Sequence, residues 1–360
     1  MTKKLIVCDC LGSQSVNPAK LSQWAGVDCS SVLTDACGTQ IDQTARVLKE
    51  SEDVIVACRQ QARLFTELAE EIGAAVPAFV DIRDRAGWTA QGEDPDPKMA
   101  ALVAEALLAV PAHKTVDIES GGTCLVIGGS EAALNAARDL SENLAVTLLL
   151  PEASDVDVDA PFEIVAGRVA RSLGSLGQFE LRIDRFQQPR AGGRGAAEWQ
   201  APRDGAMSGC DIIVDLSGDR PLFPAPHKRD GYLHADPGSG PAVAKAVFAA
   251  SQLVGTFEKT LYVRLEEPLC AHSRAEKPAC SKCLDHCPTG AITSAGEHVA
   301  IDPLICAGCG ACSALCPSGA ISYDAPPVGT VFQRLHTLAS TYRKAGGSAP
   351  RLLVHDEDFG

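Results

Sequence analysis

The stretch CAGCGACSALCP, residues 306–317, places Cys306, Cys309, Cys312 and Cys316 within twelve positions and closes on Pro317. No other feature constrains the fold as tightly. Three cysteines separated by two residues each belong to one tight loop. The fourth falls beyond a turn that the proline helps to fix, and it faces away from the other three. The rest of the cysteine content is just as uneven. Of fifteen cysteines, seven lie in 280–316, five in 8–58, and only Cys124, Cys210 and Cys270 fall elsewhere. Disulfide frameworks belong to oxidising compartments and to small secreted domains. Clustering of this kind in a 360-residue chain points to metal.

The run matches the bacterial ferredoxin spacing C-x2-C-x2-C-x3-C-P, in which three cysteines hold one [4Fe–4S] cluster and the fourth ligates the other. One such run predicts a second. Cys280-x2-Cys283-x3-Cys287-Pro288 supplies it, with the first member taken most simply as Cys270, ten positions before Cys280. The halves repeat after the proline, as CPTGAI at 287–292 and CPSGAI at 316–321. The expected ligand sets cross over: Cys270, Cys280, Cys283 and Cys316 for one cluster, and Cys306, Cys309, Cys312 and Cys287 for the other. Paired C-x2-C also builds structural zinc sites. Zinc does not call for the C-x3-C-P ending twice, so iron–sulfur is the preferred reading.

The other cysteine-rich region reads KLIVCDCLGS, VLTDACGTQIDQTARVLKE and DVIVACRQQARLFTELAEE. Cys8 and Cys10, Cys37 and Cys58 each close or follow a short apolar strand, and helix-period stretches follow the last two. In an open α/β sheet the carboxyl ends of neighbouring parallel strands line one crevice. The expectation is a third [4Fe–4S] cluster held by Cys8, Cys10, Cys37 and Cys58, with Cys29 as the alternative to Cys10. The opposing reading is that these are small buried core residues.

Cys8-Asp9-Cys10-Leu11-Gly12, Cys37-Gly38-Thr39-Gln40 and Val56-Ala57-Cys58 resemble the N-terminal motifs of the A-type heterodisulfide reductase proteins, a region that carries an iron–sulfur cluster in that family. The resemblance continues in TCLVIGGSEAALNAARDLSENLAVTLLLPE, where the family has the strand–turn–helix of a flavin domain. CDIIVDLSGDRP at 210–221 and ADPGSGPAVAKAVFAASQLVG at 235–255 resemble later flavoprotein segments. The implied nucleotide contacts are Gly128, Gly129, Ser130 and Glu152. The glycine fingerprint is altered, reading Gly128-x-Ser130-x-x-Ala133, and its middle glycine is the one that lets backbone approach a pyrophosphate. A flavin-type fold kept as scaffold is therefore preferred to bound FAD. The arrangement also resembles the iron–sulfur proteins found alongside molybdenum-dependent formate dehydrogenases.

The expected fold is α/β. Its parts are an open cysteine-rich domain at 1–90, a linker and helix at 91–120, a degenerate FAD/NAD-binding, Rossmann-like domain at 121–260, and an α+β two-cluster ferredoxin module at 261–328. A helix and strand at 329–360 would open a further domain or join an existing sheet. The net charge of −14 argues against nucleic acid or an anionic membrane as partner. No stretch reaches about 18 uncharged apolar residues, and the start is no secretory signal, so the expected location is the cytoplasm. GxSxG, HExxH and P-loop motifs are absent. The expectation is an electron-transfer protein between redox partners, a flavoprotein or a formate dehydrogenase among them. The alternatives are an FAD-containing component of a reductase complex, or an accessory factor of a molybdenum enzyme.

Overall fold

The computed structural model describes residues 3–87, 94–109, 111–154, 160–190, 198–224, 229–272 and 279–353. The centre of the insert between Cys270 and Cys280, part of the expected linker at 91–120 and the end of the expected strand within 329–360 lie outside these residues. The chain divides into two compact units, one of Met1–Pro111 with Val328–Gly360 and one of Ala112–Pro327. Among the described residues, no helix is long and apolar enough to cross a membrane.

The first unit opens with β1 (Lys4–Ile6), α1 (Pro18–Ala25), β2 (Asp28–Cys29), α2 (Ile41–Glu50), β3 (Val54–Val56), α3 (Ala62–Glu71), β4 (Ala78–Phe79) and α4 (Asp96–Ala106). The strands are short apolar runs, and all their pairings are parallel, in the order β2-β1-β3-β4. α1 is set by local chemistry. The Asn17 side chain accepts from the Lys20 N–H, Pro18 stands at its first position, and Gly26 ends it in the left-handed region at φ 74°. α2 buries Thr44 and Leu48, and α3 buries Phe65 and Ala69, so each lays one stripe on the sheet.

The helix expected within 91–120 is α4, and it belongs to the first unit: Met99, Ala100 and Val103 are fully buried in the same core as Leu5, Val7 and Ile55. A helix with this little polar surface is covered on most sides.

The second unit holds β5 (Thr115–Ser120), β6 (Thr123–Ile127), α5 (Glu131–Leu140), β7 (Ala145–Leu150), β8 (Glu163–Leu173), β9 (Phe179–Gln187), β10 (Ala206–Cys210), β11 (Ile212–Asp215), β12 (Tyr232–His234) and α6 (Gly240–Ser251). Seven strands form one sheet in the order β10-β9-β8-β7-β6-β11-β12. β12 through β8 are parallel, and β9 and β10 return antiparallel. β6 and β11 are buried nearly throughout, as strands covered on both faces must be.

Next come β13 (Gly255–Thr260), which pairs with β5, then β14 (Val263–Leu265), α7 (Lys282–His286), β15 (Ile292–Ala295), β16 (His298–Ile301), α8 (Ala311–Leu315) and β17 (Ile321–Tyr323). This last portion has two small antiparallel pairs, β15 with β16 and β14 with β17. Its core is Ile292, Val299, Ala320 and Ile321 around Cys270.

The chain then returns to the first unit in α9 (Val328–Lys344). α9 packs on α4, where Arg334 Nε is paired with Glu105 Oε1 and Ala345 joins the core of Met99 and Val103. The strand expected within 329–360 is not seen in residues 351–353, where Leu352 and Leu353 are exposed.

Candidate metal centres

β1 lies between β2 and β3, so the strand order reverses beside it, at the kind of crevice where open α/β sheets bind ligands. Ile6 pairs with Val56 across β1 and β3. Two residues further along each chain stand Cys8 and Cys58, brought level by that register. The segment after β2 runs alongside: Cys8 bridges Leu33 in parallel, Leu33 N–H donates to the Val7 carbonyl and Asp9 N–H to that of Leu33. This carries Cys37 to the same place. Gln40 Oε1 fixes the Cys37 turn by accepting from the N–H groups of Thr34 and Asp35. The Asp35 carboxylate lies over Gly38, where a Cβ would displace it, and accepts from the Thr39 N–H.

The result is one cavity lined by Cys8, Cys10, Cys37 and Cys58, with Gln60, Arg83 and other polar side chains at its wall. Burial pushes the Cys8 thiol up, against the opposing N–H groups of Ala36 and Cys10. Cys37 is raised by burial and by the neighbouring Asp35 carboxylate. Cys10 lies in the left-handed region at φ 55°, and its sulfur accepts from Arg83 Nη1 at 2.8 Å. Cys29 does not line this cavity. It packs against the core that holds Leu21 and Val27, with Ser22 on its sulfur.

In the second unit, Cys270, Cys280, Cys283 and Cys316 line one cavity. Cys316 comes from the other half of the repeat. His272 braces the two ends of the intervening insert: Nδ1 lies 2.7 Å from the Cys280 carbonyl and Nε2 2.8 Å from Ser294 Oγ. Cys287 in turn stands close enough to Cys306 and Cys312 to raise both thiols, although burial is the larger cause and pushes Cys312 up to about 11. The exposed Cys309 acts on the same two thiols. Both crossed sets of the sequence reading are thus neighbours in space.

The two outlying cysteines share a local environment. Burial alone would raise Cys287, but Thr289 Oγ1 and the N–H groups of Thr289, Ala291 and Gly290 outweigh it and hold the thiol below its ordinary value. Cys316 is depressed in the same way, burial being overcome by the Ile321 N–H, Ser318 Oγ and the N–H groups of Ser318 and Ala320. The CPTGAI and CPSGAI turns aim donors at a sulfur, as a thiolate on a metal requires. Arg229 Nη2 holds the first turn by donating to the Thr289 carbonyl at 2.8 Å. Lys259 Nζ donates to the Leu304 carbonyl at 2.7 Å, just before Cys306.

Sets of four cysteines, with hydroxyl or N–H groups on several of the sulfurs, fit iron–sulfur clusters.

Residues 278–320 match the family model of the 4Fe-4S dicluster domain. The chain thus carries a ferredoxin-type module, which implies two [4Fe-4S] clusters and points to iron–sulfur electron transfer. Seven of the eight cysteines of the crossed sets fall inside the match, and Cys270 precedes it. No curated protein matches the chain.

The four residues of the nucleotide reading sit just beyond the ends of β6 and β7, and each has a neighbour that accounts for it. Gly128 is at φ 151°, and a Cβ there would lie 2.7 Å from the Leu216 carbonyl, so strand packing accounts for this glycine. A Cβ at Gly129 would meet Pro151 at 3.0 Å. Ser130 is the N-cap of α5, and its hydroxyl occupies the Ala133 N–H that an incoming phosphate would approach. Glu152 faces Arg168 at 3.3 Å, both largely exposed. These residues do not fit FAD in the manner of the fingerprint.

Sequence reasoning missed Arg83, His272, Thr289 and Ser318. The last two were legible in principle, since a hydroxyl residue stands two places after each outlying cysteine.

Proposed function

We propose that this chain is an electron carrier with three [4Fe–4S] clusters, held by Cys270, Cys280, Cys283 and Cys316, by Cys287, Cys306, Cys309 and Cys312, and by Cys8, Cys10, Cys37 and Cys58. The observation that carries the reading is the cavity shared by Cys270, Cys280, Cys283 and Cys316, because ligand sets that cross between half-repeats are what a two-cluster module requires. When bound, such clusters supply one-electron chemistry at potentials set by burial and by hydrogen bonds to sulfur. The protein's own residues provide those settings. Thr289, Ser318 and the N–H groups around them stabilise charge on the outlying sulfurs, and His272 and Lys259 hold the loops that carry the rest. Cys309, exposed beside half-buried partners, gives its set a surface at which another redox protein can exchange electrons.

The strand order β8-β7-β6-β11-β12 supports reading the middle sheet as a dinucleotide-type fold retained as scaffold, with no step routed through a flavin. Electron donor and acceptor are separate redox proteins. The molybdenum-type formate dehydrogenase enters only through the sequence resemblance.

Anaerobic reductive titration tests this function. About three electron equivalents per chain are expected, one for each cluster, and about two would withdraw the front cluster. Further equivalents with a flavin spectrum would replace the carrier by a flavoenzyme component.

A further inference from the structure

Arg83 lies on a single π-type turn, Arg83–Gly87, at the wall of the front cavity. Its side chain is only 19% exposed. Nε is paired with Asp84 Oδ1 at 3.1 Å, and Nη2 with Gln60 Oε1. These two acceptors fix the plane of the guanidinium. Nη1 then meets Cys10 Sγ at 2.8 Å, across 73 positions of sequence. A five-donor fork held on two sides and aimed by the third is a fixed charge, unlike a mobile surface arginine. At the ferredoxin-type sets, hydroxyl and amide groups donate to the sulfurs of Cys287 and Cys316, while the cations Arg229 and Lys259 stand near Cys287 and Cys306 and hold backbone carbonyls of the turns.

We infer that Arg83 is a positioning residue that sets the front site's potential: its guanidinium holds Cys10 Sγ as a ligand and raises the reduction potential of the cluster bound there. This rests on the three-cluster reading above. One electron added to the site is one negative charge added beside a fixed cation, so the reduced state is stabilised more than the oxidised one. The partly buried setting strengthens the effect, because solvent screens it less. The potential of the front cluster is thereby set by a cation bonded directly to one of its own ligands.

The test is a redox titration followed by EPR on the anaerobically purified full chain, wild type against Arg83→Gln, with iron counted in both. The front signal is identified by its loss in Cys58→Ala. The inference predicts about twelve irons in each and a front midpoint displaced to more negative potential in Arg83→Gln, while the two ferredoxin midpoints stay in place. An unmoved front midpoint at about twelve irons overturns it. About eight irons in the wild type overturns the three-cluster reading itself, and this inference with it. If Arg83→Gln fails to hold the front cluster, the wild type decides. With ¹⁵N-arginine labelling, pulsed EPR of the reduced front cluster is expected to show a ¹⁵N coupling that Arg83→Lys removes. Absence of that coupling overturns the inference.

Discussion

Cys287 Sγ lies 3.6 Å from Thr289 Oγ1, and the same relation recurs 29 residues later between Cys316 Sγ and Ser318 Oγ at 3.7 Å. Each hydroxyl stands over a sulfur assigned to the cluster of the opposite half-repeat. On a metal-bound thiolate the hydroxyl must be the donor, and the pair tunes two sites symmetrically.

Removing one donor should therefore move one potential and leave the other. Thr289→Val should lower the midpoint of the set containing Cys287, and Ser318→Ala that of the set containing Cys316. A loss of about 1 kcal/mol in differential stabilisation corresponds to tens of millivolts for one electron. EPR-monitored titration reads both. Equal shifts of the two midpoints in either variant would contradict the crossed assignment.

Cys270 stands outside the family match, so its role is open to direct challenge. Cys270→Ala should remove about four irons per chain and leave the signal of the other ferredoxin-type set intact. Cys210→Ala, at another buried cysteine, should change stability only, with full iron content. Iron analysis with circular dichroism as the folding check separates the two effects.

Cys29 and Cys58 were both available to the sequence reading, and the structure places them in different surroundings. Cys58→Ser should cost the front cluster its four irons, about one third of the total. Cys29→Ser should retain them and lose on the order of 1 kcal/mol through its apolar packing. Iron content and denaturant midpoints check this pair.

Cys124 and Cys210 sit at 2% and 8% exposure in the middle sheet, and burial raises both thiols to about 12. The nucleophile is the thiolate. Its fraction at pH 8 is about one part in ten thousand, rising only as pH approaches 12. After the clusters are removed without unfolding, iodoacetamide at pH 8 should modify the half-buried cluster cysteines and spare these two, as peptide mass analysis would reveal. Prompt labelling of Cys124 would contradict the packing described.

The ferredoxin half of the site was legible because its chemistry is local. Spacing alone fixes which sulfurs share a loop, and the repeated CPTGAI and CPSGAI turns reveal the crossover. The front cysteines were legible one level up, through strands whose ends had to converge once the sheet was parallel. Cys10 and Cys29 could not be separated in this way, because which of them faces the cavity depends on long-range packing: Cys10 lines it and Cys29 packs on the core of Leu21 and Val27. The same limit hid Arg83. Gly128 erred in the opposite direction: a glycine that resembles a phosphate loop is accounted for by the Leu216 carbonyl, a neighbour from the far end of β11 that no local pattern announces. α4 was legible as a helix from its apolar period, but not that it shares a core with β1 and β3, because that packing joins residues far apart in sequence.

The most direct test of the account is iron and acid-labile sulfide per chain in anaerobically purified protein, with the released cofactors examined for flavin. About twelve irons and twelve sulfides, and no flavin, are predicted. About eight of each would reduce the front cavity to a structural feature, and stoichiometric FAD would contradict the scaffold role of the middle sheet.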